Sequence, residues 1–511
     1  MVRLFFYLVS YFIMESKDLY TLDQIQNFEG KYPKQLWYLF FVEMWERFCF
    51  YGMRGILTIF MADKILGLAL TDKEANLKYA AIQAFVYAFT FIGGMFADKI
   101  LGFKKSLVYG GFFMVIGNLI VASSPQHLFY IGITFTIIGT GFFKPNVSSM
   151  VGDLYKDGDG RRDAGYGLFY AGINVGALMG GALCVYLGKY VSWSSAFLAA
   201  AIVMIVGLIT FQVTKKHLGP IGQSPLQDLP IKKRRMREGL VYLLSILCIP
   251  FILVMVQDTD FTDYFMYTIA PLATLYFLYE VYKTQHRPTQ YKLLAAFLFI
   301  FFYFLFNAIF EQSGGSLSLF AEKNLSHTLL FFNIDPNIIN NSSNSFFVIV
   351  LSPIVGLLWL WMAKKKLEPN SIIKFGIGFV FLAASFYIFY YTRFFADANG
   401  IASLNVFTLG YFVTTLGELC LGPIGMSTVT KLSPKKLTGM MMGLWFLASA
   451  FGQFAAGKIG AEMSLSPSAT LVEKLIAYTD GYKQLAIYAL IAGVILIIIS
   501  PVIKKLMHGV K

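Results

Sequence analysis

Phe41-Val-Glu-Met-Trp-Glu-Arg-Phe48 places three charges inside an apolar stretch that runs from about Leu36 to Met61. That stretch is long enough to cross a bilayer, which takes roughly 20 residues in a helix. Each charge at the bilayer centre costs about 2.5–3.5 kcal/mol on insertion scales. A segment that only had to span the membrane would not carry that burden. Glu46 and Arg47 follow Glu43 by three and four residues, so Glu43 faces both along one side of a helix. Arg54 comes seven residues after Arg47, two turns on and on nearly the same face. The pattern predicts a polar stripe that meets charged ligands, protons or other helices inside a membrane.

Working outward from this stripe, apolar runs of spanning length recur along the whole chain. Hydrophobic residues make up 57% and charged residues 14% of it, which excludes an ordinary soluble globular protein. Spans are predicted near 36–62, 79–97, 106–124, 127–151, 164–188, 193–213, 239–257 and 264–282. Six more are predicted near 292–320, 344–363, 371–392, 404–430, 437–457 and 482–503, which makes fourteen. Outer-membrane strands are excluded, since they would show segments of about ten residues with alternating polarity. The fold class expected is therefore an all-α integral membrane protein.

A formal net charge of +13 raises the question of nucleic acid. Where the Lys and Arg residues fall answers it. Taking alternate loops and including both termini, 30 lie on one side and 9 on the other, with Arg47, Arg54 and Lys144 inside helices. This is the positive-inside pattern, with both termini cytoplasmic. The densest run, Lys232-Lys-Arg-Arg-Met-Arg237, reads as a cytoplasmic topology anchor beside anionic lipid, and no nucleic-acid partner is expected.

Cys49, Cys184, Cys248 and Cys420 all sit in apolar segments without metal-ligand spacing, so neither a disulfide nor a metal site is expected. The five histidines, at 127, 217, 286, 327 and 508, fall in loops or near helix ends. Met1 to Met14 is apolar but too short to span. Its single Arg3 and lack of a small-residue cleavage site make it a poor signal peptide.

The chain divides around an insert. Residues 1–35 form a cytoplasmic N-terminal segment and 36–213 a first six-helix bundle. Residues 214–290 hold a cytoplasmic linker and two extra spans, and 291–511 form a second six-helix bundle. A weak internal repeat supports two like halves: Lys144-Pro-Asn-Val-Ser-Ser-Met-Val151 lies over Gly422-Pro-Ile-Gly-Met-Ser-Thr-Val429, matching the Pro, a Ser and the last Val. Parallel repeats of this kind place a transporter's site between halves near the midplane. The first half supplies Arg47, Arg54 and Lys144 and the second supplies Glu311 and Glu418, an arrangement suited to a zwitterion.

These residues carry a resemblance. Glu43-Met-Trp-Glu-Arg47 is similar to the ExxER signature in the first helix of the proton-dependent oligopeptide transporters, a branch of the major facilitator superfamily. Gly141-Phe-Phe-Lys-Pro-Asn146 and Phe169-Tyr-Ala-Gly-Ile-Asn-Val-Gly176 resemble that family's fourth- and fifth-helix signatures. Glu311-Gln-Ser-Gly-Gly-Ser-Leu317, Gly417-Glu-Leu-Cys-Leu-Gly-Pro-Ile-Gly425 and Gly443-Leu-Trp-Phe-Leu447 resemble motifs of its second half. Gly94-Met-Phe-Ala-Asp-Lys-Ile-Leu-Gly-Phe-Lys-Lys105 is similar to the superfamily's loop 2–3 motif. The resemblance runs from about Leu36 to the last helix, and the extra pair of spans looks like the insert of prokaryotic members.

What the resemblance implies is a major facilitator fold that imports di- and tripeptides with protons, by alternating access, in a bacterial inner membrane. It implies no enzyme activity, no cofactor beyond the coupling proton, and a monomer in the lipid bilayer. Arg47 and Lys144 would hold the peptide carboxylate, with Lys144 also coupled to Glu43 and Glu46. Glu418 would hold the amino terminus, helped by Asn174 and Asn344. Arg54 and Glu311 would form a proton-sensitive salt bridge. Tyr51, Tyr87 and Trp445 would line side-chain pockets. The chain departs from the family pattern at Phe50, where Tyr is common, at Ser345, where Pro is usual, and at Gln453, where Asn is frequent. Two other readings stand beside this one: a proton-coupled carrier of another small zwitterionic or anionic solute, and a membrane peptide sensor. No nucleophile elbow, HExxH or phosphate-cradling Gly loop points to an enzyme.

Overall fold

The computed structural model describes residues 19–434 and 436–509. The apolar opening segment Met1 to Met14 lies outside the described residues.

A short helix α1 (Leu22–Gln26) starts at a capping box, in which the Thr21 hydroxyl takes the Gln24 amide and the Gln24 side chain takes the Thr21 amide. The long helices follow: α2 (Lys34–Ala62), α3 (Asp72–Phe96), α4 (Phe103–Ser123), α5 (Pro125–Asp153), α6 (Arg162–Tyr190) and α7 (Trp193–Thr214). Next come α8 (Ile231–Gln257) and α9 (Thr259–Lys283), then α10 (Arg287–Phe310) and the short α11 (Ser316–Asn324). The rest are α12 (Pro336–Lys364), α13 (Ser371–Tyr391), α14 (Leu404–Leu432), α15 (Thr438–Glu462) and α16 (Leu471–Leu506). One small hairpin, β1 (Thr328–Leu329) with β2 (Phe332–Asn333), joins α11 to α12. Among the described residues, twelve helices are long and apolar enough to cross a membrane. Helices α2 and α9 match them in length, with 29 and 25 residues. These are the fourteen expected.

Many of these helices are apolar on the outside. Only 11% of the apolar window of α12 is buried within the protein, and Leu357 and Leu360 are exposed. In water such a face would be an aggregation hazard. Against lipid tails it is the matching surface, because the backbone bonds are already closed within the helix.

Helices α3, α12 and α16 begin seven, eight and eleven residues before the spans predicted at 79, 344 and 482, their more polar first turns being helical as well, and two further segments differ in kind. The span predicted as one helix over 292–320 is broken after Phe310 by a 3₁₀ turn, Glu311–Gly314, before α11 resumes. Adjacent Gly314 and Gly315 weaken helix there, and side chains take up the freed backbone. Asn340 Nδ2 donates to the Ser313 carbonyl at 2.8 Å, and Ser316 Oγ closes on Gln312 Oε1 at 2.6 Å. The second difference is that the basic run Lys232–Arg237 is already helical, as the first two turns of α8. Lys and Arg are good helix formers, and Glu238 fixes that end by pairing with Lys105 at 2.9 Å.

The chain forms two compact units. Among the described residues, the first comprises 19–56, 65–68 and 85–257; the second comprises 57–64, 69–84 and 258–509. Within the first, α4 lies between α5 and α7, and α8 docks through Tyr242 on Tyr109 at 4.6 Å between ring centroids. Within the second, α13 lies against α14 and α16 around a ring cluster of Phe320, Phe389, Phe407, Tyr411 and Tyr482. Helix α9 belongs to this unit through an ion pair between Asp263 and Lys458 and through Phe277 stacked on Phe297. The end of α2 and the first half of α3 also belong to it. Thr58 donates to the Gly314 carbonyl, Asp72 pairs with Lys323, and Asn76 donates to Ser464 at 3.2 Å.

Candidate functional site

In the first unit the site is built on α2, α5 and α6. Two glycines of α6 set its distance from α2. A Cβ at Gly176 would collide with the Met44 carbonyl, and one at Gly180 with the Phe48 carbonyl. Backbone therefore meets backbone on both sides of Arg47, and the acidic stripe is sealed off from lipid. Glu43, Glu46 and Arg47 are each at most 3% exposed. Arg47 Nε reaches Glu43 Oε1 at 3.1 Å and donates also to Glu46 Oε2. One guanidinium thus serves two carboxylates. Glu43 Oε2, Glu46 Oε1 and Arg47 Nη2 are buried without a hydrogen-bond partner, an unusual debt in a native interior and a mark of function.

Lys144 reaches the same region from α5. Pro145 follows it and lacks an N–H, so the helix ladder is interrupted there. The neighbouring turn is held by side chains instead. Asn146 Nδ2 donates to the Phe142 carbonyl at 2.6 Å and to Ser106 Oγ at 2.9 Å. The Lys144 ammonium lies 4.1 Å from the Tyr87 ring centroid and 5.4 Å from that of Phe50. It also acts electrostatically on both Glu43 and Glu46. Arg54 lies over Tyr51 at 5.7 Å, and Asn174, 6% exposed, bonds to the Tyr170 carbonyl at 2.9 Å. The structure thus gathers Glu43, Glu46, Arg47 and Lys144 into one charged cluster, with Tyr87 against it.

In the second unit, Glu311 sits buried at the helix break described above, 6% exposed. A helix end leaves polar backbone groups that an unbroken span would hide, so the break gives this carboxylate a polar setting. Glu418, half-buried on α14, accepts from Asn344 Nδ2 of α12 at 2.8 Å, and the same amide reaches Thr415 Oγ1 at 3.2 Å. Asn344 and Glu418 are therefore brought together. Trp445, 2% exposed, is stacked on Tyr303 at 3.8 Å and 15°.

Sequence reasoning missed three polar groups that converge in this unit: Asp72, Lys323 and Tyr478. Asp72 pairs with Lys323 and accepts from the Tyr478 hydroxyl at 3.3 Å. They lie 251 and 406 positions from Asp72 along the chain, and no local pattern announces the meeting. Tyr303 was missed as well, because one tyrosine among phenylalanines reads as packing.

With this geometry in place, the comparisons with known proteins are specific. A family model described as PTR2, POT family, matches residues 104–471. The peptide transporter YePEPT of Yersinia enterocolitica is 32% identical over 509 residues, covering 94% of this chain and 96% of that protein. A crystal structure of the peptide transporter POT in complex with sulfate has a TM-score of 0.81 at 30% identity, covering 96% of this chain and all of that one. A mutant of POT in complex with alafosfalin gives a TM-score of 0.83 at 30% identity, with 96% and 99% covered.

Proposed function

Because the chain belongs to the POT family, whose members are transporters and not enzymes, we propose that it is a proton-coupled symporter that imports di- and tripeptides by alternating access. The observation that carries the reading is the buried triad of α2. Two carboxylates share one guanidinium, so one negative charge is in excess when both are ionised. A proton or the Lys144 ammonium can neutralise it, and which of them does so can change with the ligand. Arg47 and Lys144 take the peptide carboxylate. Glu418, held by Asn344, takes the ammonium, helped by Asn174. Glu43, Glu46, Arg54 and Glu311 complete the coupling set, and Tyr51, Tyr87 and Trp445 shape side-chain preference. No cofactor beyond the proton is needed. The test is uptake of labelled dialanine into proteoliposomes under an imposed inward proton gradient. Accumulation that collapses with a protonophore is expected. Uptake no greater than in protein-free vesicles would sink the reading.

The chain is a multi-span membrane transporter. We place it, on its family likeness, as a monomer in the bacterial inner membrane, and with both termini in the cytoplasm on the asymmetry of 30 against 9 basic residues. A reporter fused within 214–230 is expected to be active only as a cytoplasmic reporter. Activity there of a reporter that works only in the periplasm would overturn the orientation.

A further inference from the structure

The acidic triad has a neighbour that the functional reading leaves unused. Phe50 lies one turn below Glu46 on α2 and is fully buried. The Arg47 guanidinium carbon is 5.3 Å from its ring centroid and the Lys144 ammonium 5.4 Å from the same centroid. Both are within cation–π range, roughly 6 Å. One phenyl ring therefore attracts two cations from two helices, α2 and α5. Glu43 and Glu46 offset the repulsion between these two cations, and the negative face of the ring adds an attraction that orients both. A phenyl ring can do this without accepting or donating a conventional hydrogen bond. Arg47 Nη2 accordingly remains a buried donor with no partner, next to a surface that does not compete for it.

We propose that Phe50 is a positioning residue that holds Arg47 and Lys144 at one ring and leaves Arg47 Nη2 as the donor for a ligand carboxylate. The proposal rests on the peptide reading above and assigns Phe50 no contact with the peptide. It has a signature that a merely structural role would lack. Removing the ring's quadrupole should weaken ligands that bear a free carboxylate and spare those that do not. A side chain of similar size but without a ring should fail in the same way, whereas another aromatic ring should succeed.

The experiment compares the unaltered protein with Phe50→Leu, Phe50→Met and Phe50→Tyr in proteoliposomes. Dialanine and C-amidated dialanine are measured as competitors of labelled dialanine, and KM and maximal rate are obtained for dialanine itself. Loss of both cation–π contacts should raise KM for dialanine roughly tenfold in Phe50→Leu and Phe50→Met. The maximal rate and the affinity for the amidated peptide should change little, and Phe50→Tyr should stay close to the unaltered protein. Phe50→Met keeps the test decisive if Phe50→Leu does not fold. Equal weakening of free and amidated peptide, or no weakening of either, overturns the role of Phe50 alone. Absence of uptake by the unaltered protein overturns the peptide reading, and this proposal with it.

Discussion

Glu46→Gln is expected to abolish concentrative uptake of peptide while leaving exchange of peptide for peptide largely intact. Glu46 and Glu43 both lean on Arg47 Nε. One guanidinium neutralises one carboxylate, and the other must be matched by Lys144 or by a proton. Glutamine keeps the shape of the side chain and most of its hydrogen bonds, but it removes the surplus charge and with it the place for the proton. Binding and reorientation can continue without that proton, which is why counterflow should survive. The effect is large because the driving force is large. A proton crossing about 100 mV releases about 2.3 kcal/mol, which sustains roughly a fiftyfold gradient of a neutral dipeptide. In the variant that gradient should collapse to near unity. Glu43→Gln, Glu311→Gln and Lys144→Ala are expected to behave alike, since each removes a partner from the exchange. Replacement of His127, His217, His286, His327 or His508 should leave accumulation intact. The measurement is labelled dialanine accumulated under an imposed gradient, alongside counterflow in its absence. A histidine variant that lost accumulation while the Glu→Gln set still concentrated peptide would defeat the mechanism.

The sequence made the stripe of α2 legible because charge in an apolar span is costly, and spacing alone put Glu43, Glu46 and Arg47 on one face. The long helices were legible because apolar runs of spanning length recur along the chain. The break after Phe310 was not, because its stability comes from distant partners: Asn340 closes on Ser313 and Gln312 on the Ala456 carbonyl. The helical start of α8 was hidden by its charge. A run of Lys and Arg reads as a solvated linker until Glu238 is seen to pair with Lys105. Phe50 is the sharpest case. On an apolar helix a phenylalanine reads as packing, and its relation to Lys144 exists only once folding brings that ammonium from another helix to 5.4 Å from the ring centroid. Local pattern carries what a residue costs. It does not carry what folding brings to it from elsewhere in the chain.

Blocking either end of a dipeptide is expected to weaken its transport roughly tenfold or more, the loss of one charge-assisted hydrogen bond at about 1.5–3 kcal/mol. The two ends should fail for separable reasons. Glu418 is a half-buried carboxylate already oriented by Asn344 at 2.8 Å. A carboxylate has room for several donors, so it remains able to take an ammonium. N-acetylation removes that ammonium and adds a carbonyl oxygen that Glu418 can only repel. C-amidation leaves this end alone and removes the anion that Arg47 and Lys144 would hold. Glu418→Gln should therefore abolish most of the discrimination against N-acetyl-dialanine while preserving the discrimination against dialanine amide. Lys144→Ala should do the reverse when binding is measured by counterflow. Competition by all three peptides against labelled dialanine reads both effects in one assay. If blocked and free peptides competed equally in the unaltered protein, neither terminus would be recognised, and the assignment of Glu418 and Lys144 would fall together.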